Sequence, residues 1–269
     1  MDAADVLQGD VQSGDGTMRA GARAARAIGV AGIALVLGGS GVAVAQAPVD
    51  TTPPTATPTG AWHDLADHYV NGAGTVAITL NGADAGSGVL RLTLQEVRVG
   101  QLESVDAPCA TAPGGPCPAT FSHDTTVDAS WLDEGGHDYS QTTYDLAGNQ
   151  ATSDKWTVFV DRTAPGFDAP VTVAATSDPA TGAAAVTWSP ATDPVLMDGS
   201  EPSGLAEYSF TYRTGGPGSW GPWSAWQSTT VRRALVPAPA GTQFGFQVRA
   251  QDGVANVSPA IVSTLAASP

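Results

Sequence analysis

The hexapeptide VDTTPP (residues 49–54) returns as VDRTAP (residues 160–165), 111 positions further on. A β-sandwich domain of ordinary size takes about 100 residues, so a recurrence at this interval reads as two domains in series. Two more elements follow each marker in the same order. Ser87-Gly88-Val89 is matched by Ser203-Gly204-Leu205, and Asp145-Leu146-Ala147-Gly148-Asn149 by Asp252-Gly253-Val254-Ala255-Asn256. Three matches in register favour a tandem over one large domain.

Between these markers the apolar residues recur at every second position, which is the period of a strand with one buried face. Val76, Ile78 and Leu80 form one such set; Leu90, Leu92 and Leu94 form another, and Trp156, Val158 and Val160 a third. In the second half Val171 and Val173 begin a strand. Ala184, Val186 and Trp188 share a face, as do Tyr208, Phe210 and Tyr212, and then Phe244, Phe246, Val248 and Ala250. No segment keeps a helical period over three turns. The 32 Gly and 20 Pro in 269 residues, with 42% apolar and only 14% charged residues, fit many short strands closed by turns. The fold class expected is all-β, two antiparallel sandwiches in tandem.

The net charge of −15 argues against nucleic acid or an anionic membrane as partner, since both are held by clustered Lys and Arg. At the amino end Arg19, Arg23 and Arg26 precede an apolar run (residues 27–37) and then Ala43-Val44-Ala45. That order is a secretory signal cleaved before Gln46, occupying residues 1–45, with Met18 a candidate for the true start. The run is too short to span a bilayer comfortably, and no other segment is apolar enough, so the exported chain is expected to carry no membrane span. Residues 46–60 are dominated by Pro and Thr and read as an extended linker. The only two cysteines, Cys109 and Cys117, are read as a local disulfide, the usual state of an isolated pair outside the cell.

With "GADAGSGV", "EGGHDYSQTTYDLAGNQA" and "VFVDRTAP", residues 61–165 resemble a bacterial Ig-like domain of the D-x-A-G-N type. With "VTWSPATDP", "SGLAEYSFTYR" and "AGTQFGFQVRAQDGVANVSP", residues 166–269 resemble a fibronectin type III-like domain. The resemblance implies a fold and leaves function open, because such folds serve adhesion, spacing and ligand binding alike. The chain departs from the pattern in places. Gln141 and Thr143 stand where apolar side chains are the rule, Phe244 stands where a tyrosine corner would be, and Ala255 stands where the first half has Gly148.

No catalytic residue is expected. There is no G-x-S-x-G, no spare thiol and no Gly-rich phosphate loop. The adjacent carboxylates Asp133 and Glu134 are no glycosidase pair. His63, His68, His123 and His137 lack zinc-ligand spacing. The acidic stretch holding Asp124, Asp128, Asp133, Glu134 and Asp138 reads as a solvated face. Asp145, Gly148 and Asn149, with Asp252 and Asn256, read as turn chemistry, the aspartate accepting from turn amides. Calcium requires six to eight oxygens, and no D-x-D-x-D run supplies them, so neither metal nor cofactor is expected.

One aromatic cluster remains. SWGPWSAWQ (residues 219–227) spaces Trp220, Trp223 and Trp226 by three. In a regular strand that spacing sends Trp223 and Trp226 to opposite faces, one to the core and one to solvent. Trp220 falls at a turn, and Arg213, Arg232 and Arg233 are near enough in sequence to stack on an exposed indole. The function expected is that of a non-catalytic extracellular adhesion, spacer or partner-binding module, its partner a protein or glycan. The alternative is binding of a carbohydrate or cell-wall polymer through Trp220, Trp223, Trp226 and Arg232.

Overall fold

The computed structural model describes residues 49–269 except 111–114, 179, 240 and 267–269. The expected signal peptide, residues 1–45, lies outside the described residues. Alternating stretches become strands because one face can be buried against a second sheet. The first sandwich contains β1 (Thr55–Ala56), β2 (Tyr69–Val70), β3 (Thr75–Ala83), β4 (Val89–Glu96), β5 (Gly100–Asp106), β6 (Thr120–Asp128), β7 (Gly135–Asp145), β8 (Gln150–Thr152) and β9 (Trp156–Val160). One sheet has the order β1-β3-β6; the other runs β2-β9-β7-β4-β5, with β8 also paired along β7. All pairs are antiparallel except β2 with β9.

The second sandwich follows with β10 (Gly166–Phe167), β11 (Val173–Asp178), β12 (Ala183–Trp188), β13 (Ala191–Thr192), β14 (Leu205–Thr214), β15 (Gln227–Thr229), β16 (Arg233–Val236), β17 (Gln243–Asp252) and β18 (Ile261–Ala266). A three-stranded sheet β11-β12-β16 faces the four-stranded sheet β15-β14-β17-β18, and β10 pairs with β13. The chain is thus all-β, two antiparallel sandwiches in tandem, with a hydrophobic core cluster in each.

In the first core, Trp62, Tyr139 and Trp156 pack as a group, with ring centroids 5.4 and 5.7 Å apart. In the second, Trp188 touches Tyr208, Phe210 and Phe246 at 5.6–6.3 Å. Phe244, Phe246, Val248 and Ala250 are all fully buried, as their alternation requires. Phe244 cannot bond the backbone through a hydroxyl, but Tyr208 does so from the neighbouring strand β14, its Oη accepting from Ala191 N at 3.1 Å.

Three local expectations are revised. Val89 takes the core position in β4 and Leu90 is half-buried, because the register slips between Val89 and Arg91, and such an irregularity exchanges the faces. Val171 is exposed and lies before β11, outside any strand. Part of the Pro/Thr-rich stretch read as linker is an edge strand: Thr55 and Ala56 pair with Ala83 and Gly82 of β3, and Pro54 and Pro58 are buried. Proline is tolerated there because an edge strand leaves one row of amides unpaired.

Gln141 and Thr143 do not loosen the first core. Both are fully buried. Gln141 Nε2 donates to Asn81 O at 2.7 Å and to Thr143 Oγ1 at 3.1 Å, while its Oε1 accepts from Asn81 N at 3.2 Å. An amide has both donors and acceptors, so one side chain on β7 bonds both backbone groups of Asn81 on β3 in the opposite sheet. A Cβ at Gly82 would come 2.7 Å from Leu92 and 2.8 Å from Thr143, so the close approach at this point requires glycine.

Candidate functional site

The repeated sequence elements converge in space on two near-identical carboxylate knots, one per sandwich. Each takes an aspartate from the segment entering the sandwich, one from just after a strand outside the larger sheet, and one from the end of the long central strand. In the first these are Asp50, Asp84 and Asp145, and in the second Asp161, Asp193 and Asp252. In each knot one carboxylate oxygen from every member lies within 4.8 Å of the others.

The hydrogen bonds correspond atom for atom. Asp145 Oδ1 accepts from Asn149 N at 2.7 Å, and Asp252 Oδ1 from Asn256 N at 2.8 Å. Asn149 and Asn256 each donate Nδ2 to the second carboxylate oxygen at 2.7 Å. The same amide nitrogen reaches the carbonyl of the entering aspartate, Asp50 O at 3.3 Å and Asp161 O at 3.0 Å. Ser87 N donates to Asp50 Oδ2 and Ser203 N to Asp161 Oδ2, both at 2.8 Å. Gly88 N donates to Asp84 Oδ2 at 2.6 Å and Gly204 N to Asp193 Oδ2 at 2.7 Å. The turns before the asparagines have positive φ, 95° at Gly148 and 69° at Ala255.

The knots differ in electrostatics. Asp50 is half-buried, and the turn amides of Thr52 and Ser87 hold its carboxyl below the usual range. Asp161, Asp193 and Asp252 are all buried, at 0%, 8% and 1% exposure. Among the described residues no Lys, Arg or His pairs with any of these three. Burial pushes the Asp193 carboxyl up to about 6; the Gly204 amide opposes the rise, and the charges of Asp161 and Asp252 add to it. Asp193 Oδ1 is buried and has no hydrogen-bond donor. Ser203 Oγ is shielded too: it stands close enough to favour the charged form of Asp193, but outside hydrogen-bonding geometry. Asp84 and Asp193 escaped the sequence reading because they stand 4 and 11 residues before their glycine partners, Gly88 and Gly204. The surviving clue was "TDP" and "ADA" lying upstream of the two S-G pairs.

The second knot lies where the sandwiches join. Asp161 directly follows β9, yet its carboxylate and carbonyl are held by Ser203 and Asn256 of the second sandwich. Close by, Asp198 of the second sandwich accepts from Gly136 N at 2.9 Å and Arg98 Nη2 at 3.0 Å, and Tyr69 Oη donates to Glu201 O at 3.0 Å. The Ser200 hydroxyl, then the Gly136 and Ser200 amides, with a smaller part from Arg98, hold the Asp198 carboxyl far below the usual range.

The tryptophans do not divide between core and solvent. All three lie outside the second core, over the outer face of β14 and β17. Residues 219–226 are not strand; only Gln227–Thr229 is. Gly221 N donates to Thr214 O and Ser224 N to Tyr212 O, and Gln227 pairs with Phe210. Three residues of this segment therefore match every two of β14, which brings a period of three back to one face. Arg213 lies between Trp220 and Trp223, 4.5 and 4.6 Å from the ring centroids, and Arg249 covers Trp226 at 4.2 Å. Beneath them Ser209 and Thr211, on the outward side of β14, are buried. Trp226 remains 41% exposed. Arg232 is elsewhere, donating to Trp188 O at 3.2 Å, and Arg233 pairs with Asp178. Arg249, an outward residue of β17, takes the stacking part that sequence proximity assigned to Arg232 and Arg233.

Cys109 and Cys117 are joined as a disulfide. The histidines are dispersed. His137 is buried with Nδ1 3.3 Å from Glu96 Oε1 and Nε2 2.8 Å from Asp133 O, while His63 packs against Trp156. The acidic stretch of the first sandwich forms separate local bonds: Asp124 with Thr79, Asp128 with Ser130, Asp138 with Thr157 and Glu134 with Arg162 N.

No protein-family model matches the chain, and no curated protein matches it. Solved structures similar to it include domains A168–A170 of titin, at 11% identity and TM-score 0.44, covering 80% of this chain and 66% of that one. The FN1–FN3 domains of chicken CNTN1 align at 12% identity and TM-score 0.33, over 80% of this chain and 68% of theirs. The fibronectin(III)-like modules of Clostridium thermocellum CbhA align at 12% identity and TM-score 0.31, over 74% of this chain and 87% of theirs.

Proposed function

We propose that the chain is a non-catalytic extracellular module that spaces or presents a binding surface, built from an Ig-like domain (residues 61–165) and a fibronectin type III-like domain (residues 166–269). The observation that carries this reading is the use made of buried polar groups. The carboxylates of the two knots, Gln141, and the Glu96–His137 pair all hold backbone or neighbouring side chains in place. A hydrolytic site needs an activated group facing a cleft. The disulfide supports an oxidising compartment, and among the described residues no helix is long and apolar enough to cross a membrane. Export follows from residues 1–45, and protein recovered from culture medium should begin at Gln46. Recovery of a chain retaining the apolar run would remove the extracellular reading.

A second reading, binding of a wall glycan, is favoured by the Trp226 ring, which is 41% exposed with a guanidinium on one face. Titration with purified wall glycans should quench tryptophan emission in the parent and less so in Trp226→Ala. Retention of a surface protein by the immobilised chain, with no response to glycans, supports the spacer or presenter instead.

A further inference from the structure

A strand at the margin of a sheet leaves one row of amides and carbonyls without partners, and such margins are ordinarily blunted by charge, proline or shortness. Among the described strands this holds with one exception. The edge strands β1, β2, β10, β13 and β15 are three residues long or shorter. Of the longer edges, β5 carries Glu103 and Asp106, β6 carries Asp124 and Asp128, β11 carries Asp178 and β16 carries Arg233. β18 is the exception. It closes the four-stranded sheet of the second sandwich, pairs in unbroken register with β17, and reads IVSTLA, with neither charge nor proline.

Its side chains are incompletely covered on both faces. Ile261 and Leu265 turn towards the second core but stay half-buried, beside Val173 and Ala175 of β11 at the same margin. On the outer face Val262 is 63% exposed, and Thr264 and Ala266 are exposed with it. Their ladder neighbours on β17 are Gln247, Gly245 and Gln243, so no titratable side chain stands opposite them. The second sandwich is also the less charged half, with 7 acidic and 4 basic residues over 166–269, or −3, in a chain of −15. Two copies can therefore meet at this edge without setting like charges against each other.

We propose that β18 is a self-association edge, pairing antiparallel with β18 of a second copy of this chain and joining two four-stranded sheets into one of eight. A two-fold axis at Ser263 sets Ile261 opposite Leu265 of the partner subunit, Val262 opposite Thr264 of the partner subunit, and the two Ser263 residues opposite each other. Residues directly opposed in an antiparallel pair share a face. This register thus matches core-facing side chains with core-facing ones, and closes the half-buried Ile261 and Leu265 against their own copies. The two exposed rows supply about four to six hydrogen bonds, two for each closely spaced pair. A two-fold contact uses the same patch on both partners and stops at two. Six residues at about 3.4 Å each make a contact roughly 20 Å long. That is short of the area of at least about 1,200 Å² that a stable dimer buries, so the association is weak and reversible. It is independent of which surface the module presents, and it would set two such surfaces side by side.

In sedimentation equilibrium the purified chain should show a weight-average mass rising from one chain towards two, and no further, as its concentration is raised to about 1 mM. Amide exchange within residues 261–266 of the parent should slow over the same range, a measurement that needs no variant. Val262→Lys with Thr264→Lys changes only exposed, outward side chains. It should keep the fold yet remain monomeric throughout, because four cations gather about the axis. Val262→Lys with Thr264→Glu should dimerise at least as well as the parent, since in this register each introduced ammonium faces a carboxylate of the partner subunit. The proposal is overturned if the parent stays monomeric at the highest concentration, or if its mass passes two chains. It is overturned equally if the concentration-dependent protection falls on residues 219–226 instead of 261–266, or if the two double variants associate alike.

Discussion

Ala255 and Gly148 occupy the same turn in the two sandwiches, with φ of 69° and 95°. A side chain with a Cβ is disfavoured in this region by about 1–2 kcal/mol, partly offset by the greater freedom of glycine when unfolded. Ala255→Gly should therefore stabilise the chain by about 0.5–1 kcal/mol in urea denaturation. Gly148→Ala should destabilise by a similar amount, since a Cβ there meets nothing within 4 Å and only backbone strain is added. If both substitutions shifted stability in the same direction, the turns would not be equivalent. That Ala255 lies under strain was legible from its alignment with Gly148. The buried charge of Asp193 was not, because its partners stand 32 and 59 residues away in the chain.

Among the elements, β7 shows why an alternation can break without loss of packing. Gln141 and Thr143 replace apolar residues, and Gln141 binds the Asn81 peptide across the sandwich. Gln141→Ala should cost about 2–4 kcal/mol, from the cavity and from the orphaned Asn81 N–H together, Asn81 O keeping its bond from Thr57 N. Gln141→Leu fills the space but still leaves the Asn81 N–H bare, so it should recover only part of the loss; full recovery would mean that the bond to this amide contributes nothing. The strands themselves were readable because burial on one face imposes a period of two. The tryptophan segment was misread because that rule assumes a regular ladder, and here three residues span the length of two. Trp223→Ala should uncover one face of Arg213 and lower stability by about 1–3 kcal/mol, through lost apolar cover over β14 and a lost cation–π contact.

For the molecule as a whole, the joint depends on Asp198, which lies against Arg98 and Gly136 of the first sandwich. Its carboxyl titrates below the unfolded value, so the folded chain binds fewer protons there than the unfolded one. The stability it contributes is complete above pH of about 4 and is lost as the solution is acidified further. Between pH 5 and 3 the parent should lose more stability than Asp198→Asn, measured by urea midpoints at each pH. Parallel losses would show that Asp198 does not hold the joint. Reduction of Cys109–Cys117 should have a modest effect, about 2–3 kcal/mol by the loop-entropy argument, because the enclosed loop is short. The tandem was legible from three repeated elements. How the two halves meet was not, since Arg98, Gly136 and Asp198 share no motif and lie up to 100 residues apart.

Each knot borrows its first aspartate from the stretch that leads into the sandwich, and Asp161 is at once the last word of one unit and the first of the next. Duplication of a segment beginning at such an aspartate copies the joint along with the body it serves. Arrays could therefore lengthen by simple in-frame amplification, with every new copy arriving already fitted to its neighbour.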